Sequence, residues 1–253
     1  MPNRPALLIM QRHLAPLTAF LETDYTVYRF WEGPPAEAQG QIRALVVAGE
    51  FPLDKALIES LPALQLIACF TSGYDGIDVD WCRARGLPVS HAPGVNHEDV
   101  ADHALGLILA ARRQIAAGDR ALRAGGWTVD AKMITPSLKD QRLGVVGLGS
   151  IGEAVARRGE AMRMAVRWWG PREKESPWPR AGSLLELARD SDILVVACKA
   201  DENNRGLISR EVIEALGPQG LLVNVARGQL VDETALIAAL KDGRLGQAAL
   251  DVF

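Results

Sequence analysis

Short runs of aliphatic and β-branched residues alternate along this chain with stretches whose apolar positions recur every three or four residues. The runs fall at Ala6–Met10, Thr26–Phe30, Ala44–Ala48, Leu64–Phe70 and Leu87–Ser90, and helical periods such as Leu53–Leu61 and Asp78–Arg85 lie between most of them. Strands that alternate with helices, instead of pairing across tight turns, form a parallel sheet with helices on its faces. A second series begins at Leu143 and runs Leu143–Val146, Ala165–Trp169, Ile193–Cys198, Leu221–Val225 and Ala248–Val252. The pattern predicts two doubly wound α/β domains in tandem.

One long helical segment, from about Glu98 to Arg123, separates the two series. Val100, Ala104, Leu107, Ile108 and Ala111 recur on one face of it. Asn96 is the predicted cap, after a break at Pro93-Gly94. The predicted domains are therefore residues 1–94 and 95–253. The stretch Gly170–Arg180, rich in proline and charge, reads as a loop.

A length of 253 residues suits two domains or one large one, and 48% hydrophobic with 23% charged residues is ordinary globular usage. The formal net charge of −3 argues against nucleic-acid or membrane-surface binding, since both reward a concentrated basic face. The longest apolar runs, such as Ala104–Ala111, fall far short of the roughly 20 residues of a membrane span. Met1-Pro-Asn-Arg-Pro is unlike the start of a signal peptide, so a cytoplasmic protein is expected. Cys69, Cys82 and Cys198 sit in or beside apolar segments, without the spacing of metal ligands or of a redox pair, and read as buried thiols. His97 and His103 are poorly spaced for a shared metal on a helix, where i and i+4 share a face, so no metal is expected and both read as capping or packing residues.

The strongest local motif is Leu143-Gly-Val-Val-Gly-Leu-Gly-Ser-Ile-Gly152, in which Gly147, Gly149 and Gly152 fit G-x-G-x-x-G between a strand run and a helix run. The first glycine permits a tight turn, the second lets backbone approach a pyrophosphate, and the third lets helix pack close to strand. Amides at the helix start then receive the diphosphate. This predicts a dinucleotide site with Leu148, Gly149, Ser150 and Ile151 in its turn. An NAD site usually carries an acid after the next strand, for the ribose hydroxyls. Here Gly170 stands after Ala165–Trp169, followed by Pro171 and Arg172. Without a carboxylate a 2′-phosphate is not repelled, and Arg172 is placed to pair with it. NADP is favoured, with NAD the alternative.

Four further segments make the pattern specific: Thr71-Ser-Gly-Tyr-Asp-Gly-Ile-Asp78, Asn96-His-Glu-Asp-Val-Ala-Asp-His103, Val223-Asn-Val-Ala-Arg-Gly-Gln-Leu-Val-Asp-Glu233 and Ala248-Ala-Leu-Asp-Val-Phe253. With the glycine turn, in this order, the chain resembles the D-isomer-specific 2-hydroxyacid dehydrogenases, and among them the NADP-preferring glyoxylate/hydroxypyruvate and hydroxyphenylpyruvate reductases. The resemblance implies a flavodoxin-like substrate domain followed by a Rossmann dinucleotide domain, with substrate held between them. It implies that Arg227 is the catalytic arginine, which binds and polarises a 2-oxo acid. Ser72 and Gly73 match the turn whose amides receive the substrate carboxylate. Val225, Ala226, Arg227 and Asp251 match residues beside the cofactor. The region of Glu98 to Trp127 resembles the part through which the family dimerises, so a homodimer is expected.

The chain departs from the family in two places. The segment Cys198-Lys-Ala-Asp-Glu-Asn-Asn204 stands where many relatives carry a Pro-Leu-Thr-rich turn, and Lys199 in it reads either as added positive potential near a 2′-phosphate or as a solvated surface lysine. The family's proton donor is a histidine, held by a glutamate, downstream of the Asp-Val-Phe segment, whereas His13, His91, His97 and His103 all precede the glycine turn. A C-terminal truncation is the expectation, and a short, non-catalytic, cofactor-sensing protein is the alternative from another class. Among enzymes, NAD-linked phosphoglycerate or D-lactate dehydrogenases are the runners-up.

Overall fold

The computed structural model describes residues 4–131 and 134–253. The chain divides into two compact units, the first ending at Val95 and the second comprising Asn96–Phe253.

In the first unit the elements run β1 (Ala6–Ile9), α1 (Thr18–Leu21), β2 (Thr26–Arg29), α2 (Ala36–Gln39), β3 (Ile42–Val47), α3 (Lys55–Glu59), β4 (Leu66–Cys69), α4 (Val79–Ala84) and β5 (Val89–Ser90). The strands form one sheet in the order β2-β1-β3-β4-β5, and all four ladders are parallel. Alternation along each strand sends successive side chains to opposite faces. Leu8, Leu45, Val47 and Ile67 pack with Ile58 of α3 and Cys82 of α4 on one side. Leu7, Ile9, Ala44 and Val46 pack with Leu14 and Leu21 on the other. Both faces are covered, which is why these strands read as continuous apolar runs. Asp54 and Asp78 cap α3 and α4 through their carboxylates.

The second unit opens with α5 (His97–Arg112) and α6 (Ile115–Arg123). It continues through β6 (Arg142–Val146), α7 (Ser150–Ala161), β7 (Ala165–Trp169), α8 (Leu184–Arg189), β8 (Ile193–Val196), α9 (Arg210–Leu216), β9 (Leu221–Asn224), α10 (Glu233–Lys241) and β10 (Gln247–Leu250). Its sheet has the order β10-β9-β8-β6-β7, again wholly parallel. Leu143, Val145, Ile193 and Val195 face α5 and α7, where Ala104, Ile108, Ala154 and Val155 complete a core. Val146, Leu194, Val196 and Leu222 face α8, α9 and α10. Among the described residues no helix is long and apolar enough to cross a membrane.

The single helix expected over Glu98–Arg123 is two. Arg112, almost fully buried, donates to the backbone carbonyls of Gln219, at 2.9 Å, and of Asp192, ahead of β9 and β8. The chain then turns at Gln114, whose φ of 51° is left-handed, and α6 leaves in a new direction with no buried side chain of its own. Asn96 does occupy the N-cap position of α5, but its side chain accepts no capping hydrogen bond. Its carbonyl accepts from Val100 instead.

Candidate functional site

A wholly parallel sheet gathers all its strand C-termini at one edge, and ligands in such folds bind where the strand order reverses. In the second unit that reversal lies between β6 and β8. Gly147 ends β6 there with φ 91°, and a Cβ on it would stand 2.5 Å from Cys198 Cα, just past β8. Glycine is thus required at this position by the neighbouring strand's exit as well as by the turn. Gly152 has its own reason: a Cβ would run into the Gly147 carbonyl and stand 3.2 Å from Val145 Cγ1.

Gly149 is different. It is the N-cap of the 12-residue α7 and has φ −85°, and a Cβ on it would meet nothing within 4 Å. It has no side chain to cap the helix, and the N–H groups of Ser150 and Ile151 meet no acceptor among the described residues. Open amides at a helix start, carrying the positive end of its dipole, form a receptor for an anionic diphosphate. The turn therefore fits the group that the motif implies. Leu148 lies buried within it.

The loop after β7 borders this turn. Gly170 follows Trp169, and its carbonyl accepts from Arg180 Nη2 at 2.8 Å. Arg172 is exposed and makes no ion pair among the described residues. Cys198 closes the other side of the turn. Burial pushes its thiol up to about 11, so it is a neutral packing group at neutral pH. Beyond it, Asp201 accepts from the Asn203 amide at 2.8 Å, and Asn204 donates from Nδ2 to the Lys199 carbonyl at 2.8 Å.

At the end of β9 the segment 224–228 is organised by Asn224, which is 1% exposed. Its Nδ2 donates to the Arg227 carbonyl at 2.9 Å, and its Oδ1 accepts from the Ala226 amide at 3.1 Å. Both ends of one side-chain amide thus fix the turn carrying Val225, Ala226 and Arg227. The Arg227 guanidinium is half-buried and donates from Nη1 to the Ala226 carbonyl at 2.7 Å. A Cβ at Gly228 would stand 2.5 Å from the Phe253 backbone, so the chain after β10 passes against this turn. Asp251, just past β10, donates its amide to the Asn224 carbonyl at 2.9 Å, and its carboxylate lies 3.3 Å from His103 Nε2 of α5.

Asn224 was missed as a functional position because it ends an apolar strand run. A lone amide side chain finishing an aliphatic strand is the available signal, since a buried amide must find partners. Removing it leaves the Ala226 amide without its acceptor and takes from the Arg227 carbonyl one of two donors, the other being the Leu230 amide. Asn224→Ala is expected to cost about 1–3 kcal/mol in urea unfolding. Asn224→Asp should not restore it, because a carboxylate cannot donate to the Arg227 carbonyl.

Ser72 and Gly73 lie in the first unit, after β4. Ser72 Oγ donates to the Ala92 carbonyl at 2.8 Å, and His91 Nδ1 lies 3.1 Å from the Ser72 carbonyl, so Nδ1 carries the proton there. The Gly73 carbonyl accepts from Thr71 Oγ1 at 2.9 Å and from Cys69 Sγ at 3.2 Å. The turn is held through its carbonyls, while the Gly73 amide has no acceptor among the described residues. His97 pairs with Glu98 at 3.3 Å, and His103 with Asp251 as above. Among the described residues no three His, Cys, Asp or Glu side chains cluster as metal ligands.

Comparison with known proteins places this geometry. Residues 105–253 match the family model for the D-isomer specific 2-hydroxyacid dehydrogenase, NAD binding domain. The hydroxyphenylpyruvate reductase of Plectranthus scutellarioides is 40% identical over 250 residues, covering 95% of this chain and 80% of its own length. The structure of a 2-hydroxyacid dehydrogenase from Ketogulonicigenium vulgare Y25 superposes with a TM-score of 0.91 at 39% identity, over 99% of this chain and 81% of that one. The NADPH-dependent glyoxylate/hydroxypyruvate reductase of Sinorhizobium meliloti, solved with NADP and malonate, gives 0.90 at 33% identity over 99% and 80%. With the glycine turn, the arginine turn and their strand order in place, the chain belongs to the D-isomer-specific 2-hydroxyacid dehydrogenases and is a nicotinamide-dependent oxidoreductase of that family.

Proposed function

We propose that this protein reduces small 2-oxo acids of the glyoxylate and hydroxypyruvate type with NADPH, giving D-2-hydroxy acids. The observation that carries the reading is the placement of Arg227 at the same sheet edge as the glycine turn, on a backbone fixed by Asn224. The reduced nicotinamide supplies the hydride when bound.

The rest is the work of the chain's own groups. The amides of Ser150 and Ile151, at the start of α7, bind the diphosphate. Val225 and Ala226 present backbone to the cofactor, and Asp251 stands beside them. Arg227 binds the 2-oxo acid and stabilises the charge that gathers on the carbonyl oxygen. Arg227 stabilises the oxyanion, and the proton that converts it to the hydroxyl comes from a separate general acid, which the family resemblance assigns to a histidine. The Gly73 amide, with Ser72, receives the substrate carboxylate as a backbone nest. Residues up to Val95 are thus the substrate-binding unit, and Asn96–Phe253 the dinucleotide unit.

Preference for NADPH rests on Gly170 where an acid would bind ribose hydroxyls, and on Arg172, exposed beside it. Arg172→Ala is expected to lower the NADPH:NADH ratio of kcat/KM about tenfold or more, the scale of one charge-assisted phosphate contact, with the NADH values nearly unchanged. A homodimer through α5, α6 and the following segment fits the exposed Ile115, Leu122, Trp127, Val129 and Ile134. The mild charge and the three free thiols fit a cytoplasmic setting. The primary test is consumption of NADPH, followed by its absorbance, with glyoxylate or hydroxypyruvate. Cofactor binding without turnover on any short 2-oxo acid would overturn the assignment.

A further inference from the structure

We propose that Lys174 is a positioning residue for cofactor choice: it braces the loop that carries Arg172 against the glycine turn, and it is not itself a ligand of the phosphate. This rests on the reading of Arg172 as the 2′-phosphate partner.

Lys174 lies two residues beyond Arg172, yet its side chain reaches back to the glycine turn. Nζ donates to the Leu148 carbonyl at 3.1 Å and pairs with Glu153, in the first turn of α7. Leu148 sits between Gly147 and Gly149, so a loop side chain is bonded to the backbone of the diphosphate turn itself. The loop's start is held as well, because Arg180 Nη2 donates to the Gly170 carbonyl. Arg180 is fixed in turn by pairing alongside Trp168, whose indole Nε1 donates to the Trp178 carbonyl at 3.0 Å. Between the two braces stands Arg172, exposed and without an ion pair among the described residues. A long side chain on a short loop loses less freedom on binding when the backbone beneath it is already fixed. The positive charge of Lys174 is meanwhile spent on Glu153, so it adds little field for a phosphate dianion.

Brace and ligand predict opposite signs for one substitution. If Lys174 braces the loop, Glu153→Gln loosens it and weakens binding of a 2′-phosphate. If Lys174 is a phosphate ligand held back by Glu153, the same change frees it and tightens binding. The probes are 2′,5′-ADP and 5′-AMP, titrated calorimetrically into the full chain. Wild type should prefer 2′,5′-ADP, and Arg172→Ala should lose that preference. Lys174→Met should weaken 2′,5′-ADP about fivefold, the scale of immobilising one side chain, and leave 5′-AMP unchanged. Lys174→Arg should recover most of the loss, and Glu153→Gln should weaken 2′,5′-ADP in the same direction as Lys174→Met. Glu153→Gln keeps the side chain's size, so the test does not hang on Lys174→Met folding normally.

With the Arg172 result as expected, three outcomes overturn the brace alone: no effect of Lys174→Met, equal weakening of both nucleotides, or tighter 2′,5′-ADP in Glu153→Gln. A wild type indifferent to the 2′-phosphate, or an Arg172→Ala that keeps the preference, overturns the underlying reading and the brace with it.

Discussion

Arg227→Ala is expected to lower kcat/KM for the 2-oxo acid by about 10³-fold or more, while the dissociation constant for NADPH changes less than about twofold. Removing a single donor to a developing oxyanion costs roughly 10²–10³-fold. Arg227 is assigned the carbonyl and shares the substrate carboxylate with Ser72 and Gly73, so the upper part of that range applies. Cofactor affinity is spared because the contacts assigned to this turn come from backbone, and Asn224 holds that backbone whatever side chain stands at 227. Lysine should not substitute. A single ammonium cannot present two parallel N–H groups to a planar acid. The check is steady-state kinetics beside a fluorescence titration with NADPH. Turnover within tenfold of wild type would remove Arg227 from the chemistry.

The sequence showed the sheets because both faces of each are covered, so buried strands stand out as uninterrupted aliphatic runs between helical periods. Gly147, Gly149 and Gly152 were legible for a similar reason: three glycines at fixed spacing between a strand and a helix leave few other uses. The break after α5 was hidden. Gln114 adopts a left-handed conformation without being glycine, and Arg112, which reads as a surface charge, turns inward to carbonyls far away in sequence. Asn224 and Lys174 escaped for the same physical cause. Each looks ordinary in its local run, as a strand end or a loop charge. Their partners, at Arg227 and Leu148, are a matter of side-chain reach and not of periodicity. The capping role read for Asn96 had the correct residue type and position but not the bond.

The second large effect separates two glycines of one turn. Gly152→Ala is expected to destabilise the protein by about 2–4 kcal/mol and also to weaken NADPH binding. Its Cβ would collide with the Gly147 carbonyl and press on Val145, so α7 must lift from β6 and carry its amides with it. Gly149→Ala should cost about 1 kcal/mol or less, the N-cap preference for glycine over alanine, since its φ is ordinary and the added methyl meets no protein atom. That methyl would nonetheless stand where the diphosphate must approach, and the NADPH dissociation constant should rise at least about tenfold. Urea unfolding of both variants, with the same NADPH titration, makes the comparison. Equal destabilisation of the two would mean that the open space at Gly149 is not a ligand's.

The wholly parallel sheets also bear on how this chain folds. Among the described residues neither sheet contains a hairpin, so each ladder joins strands with an excursion between them: Ala6 pairs with Ile42, and Leu143 with Ile193. Loop-closure entropy must be met before any such pairing is rewarded, which makes high-contact-order topologies slow to form. Yet the strand order within each unit lets every later strand dock on one already made. After β6 and β8 pair, β9 and then β10 add outward in chain order. The growth is that of a sheet extended from its centre, one strand at a time, in the direction in which a ribosome delivers it.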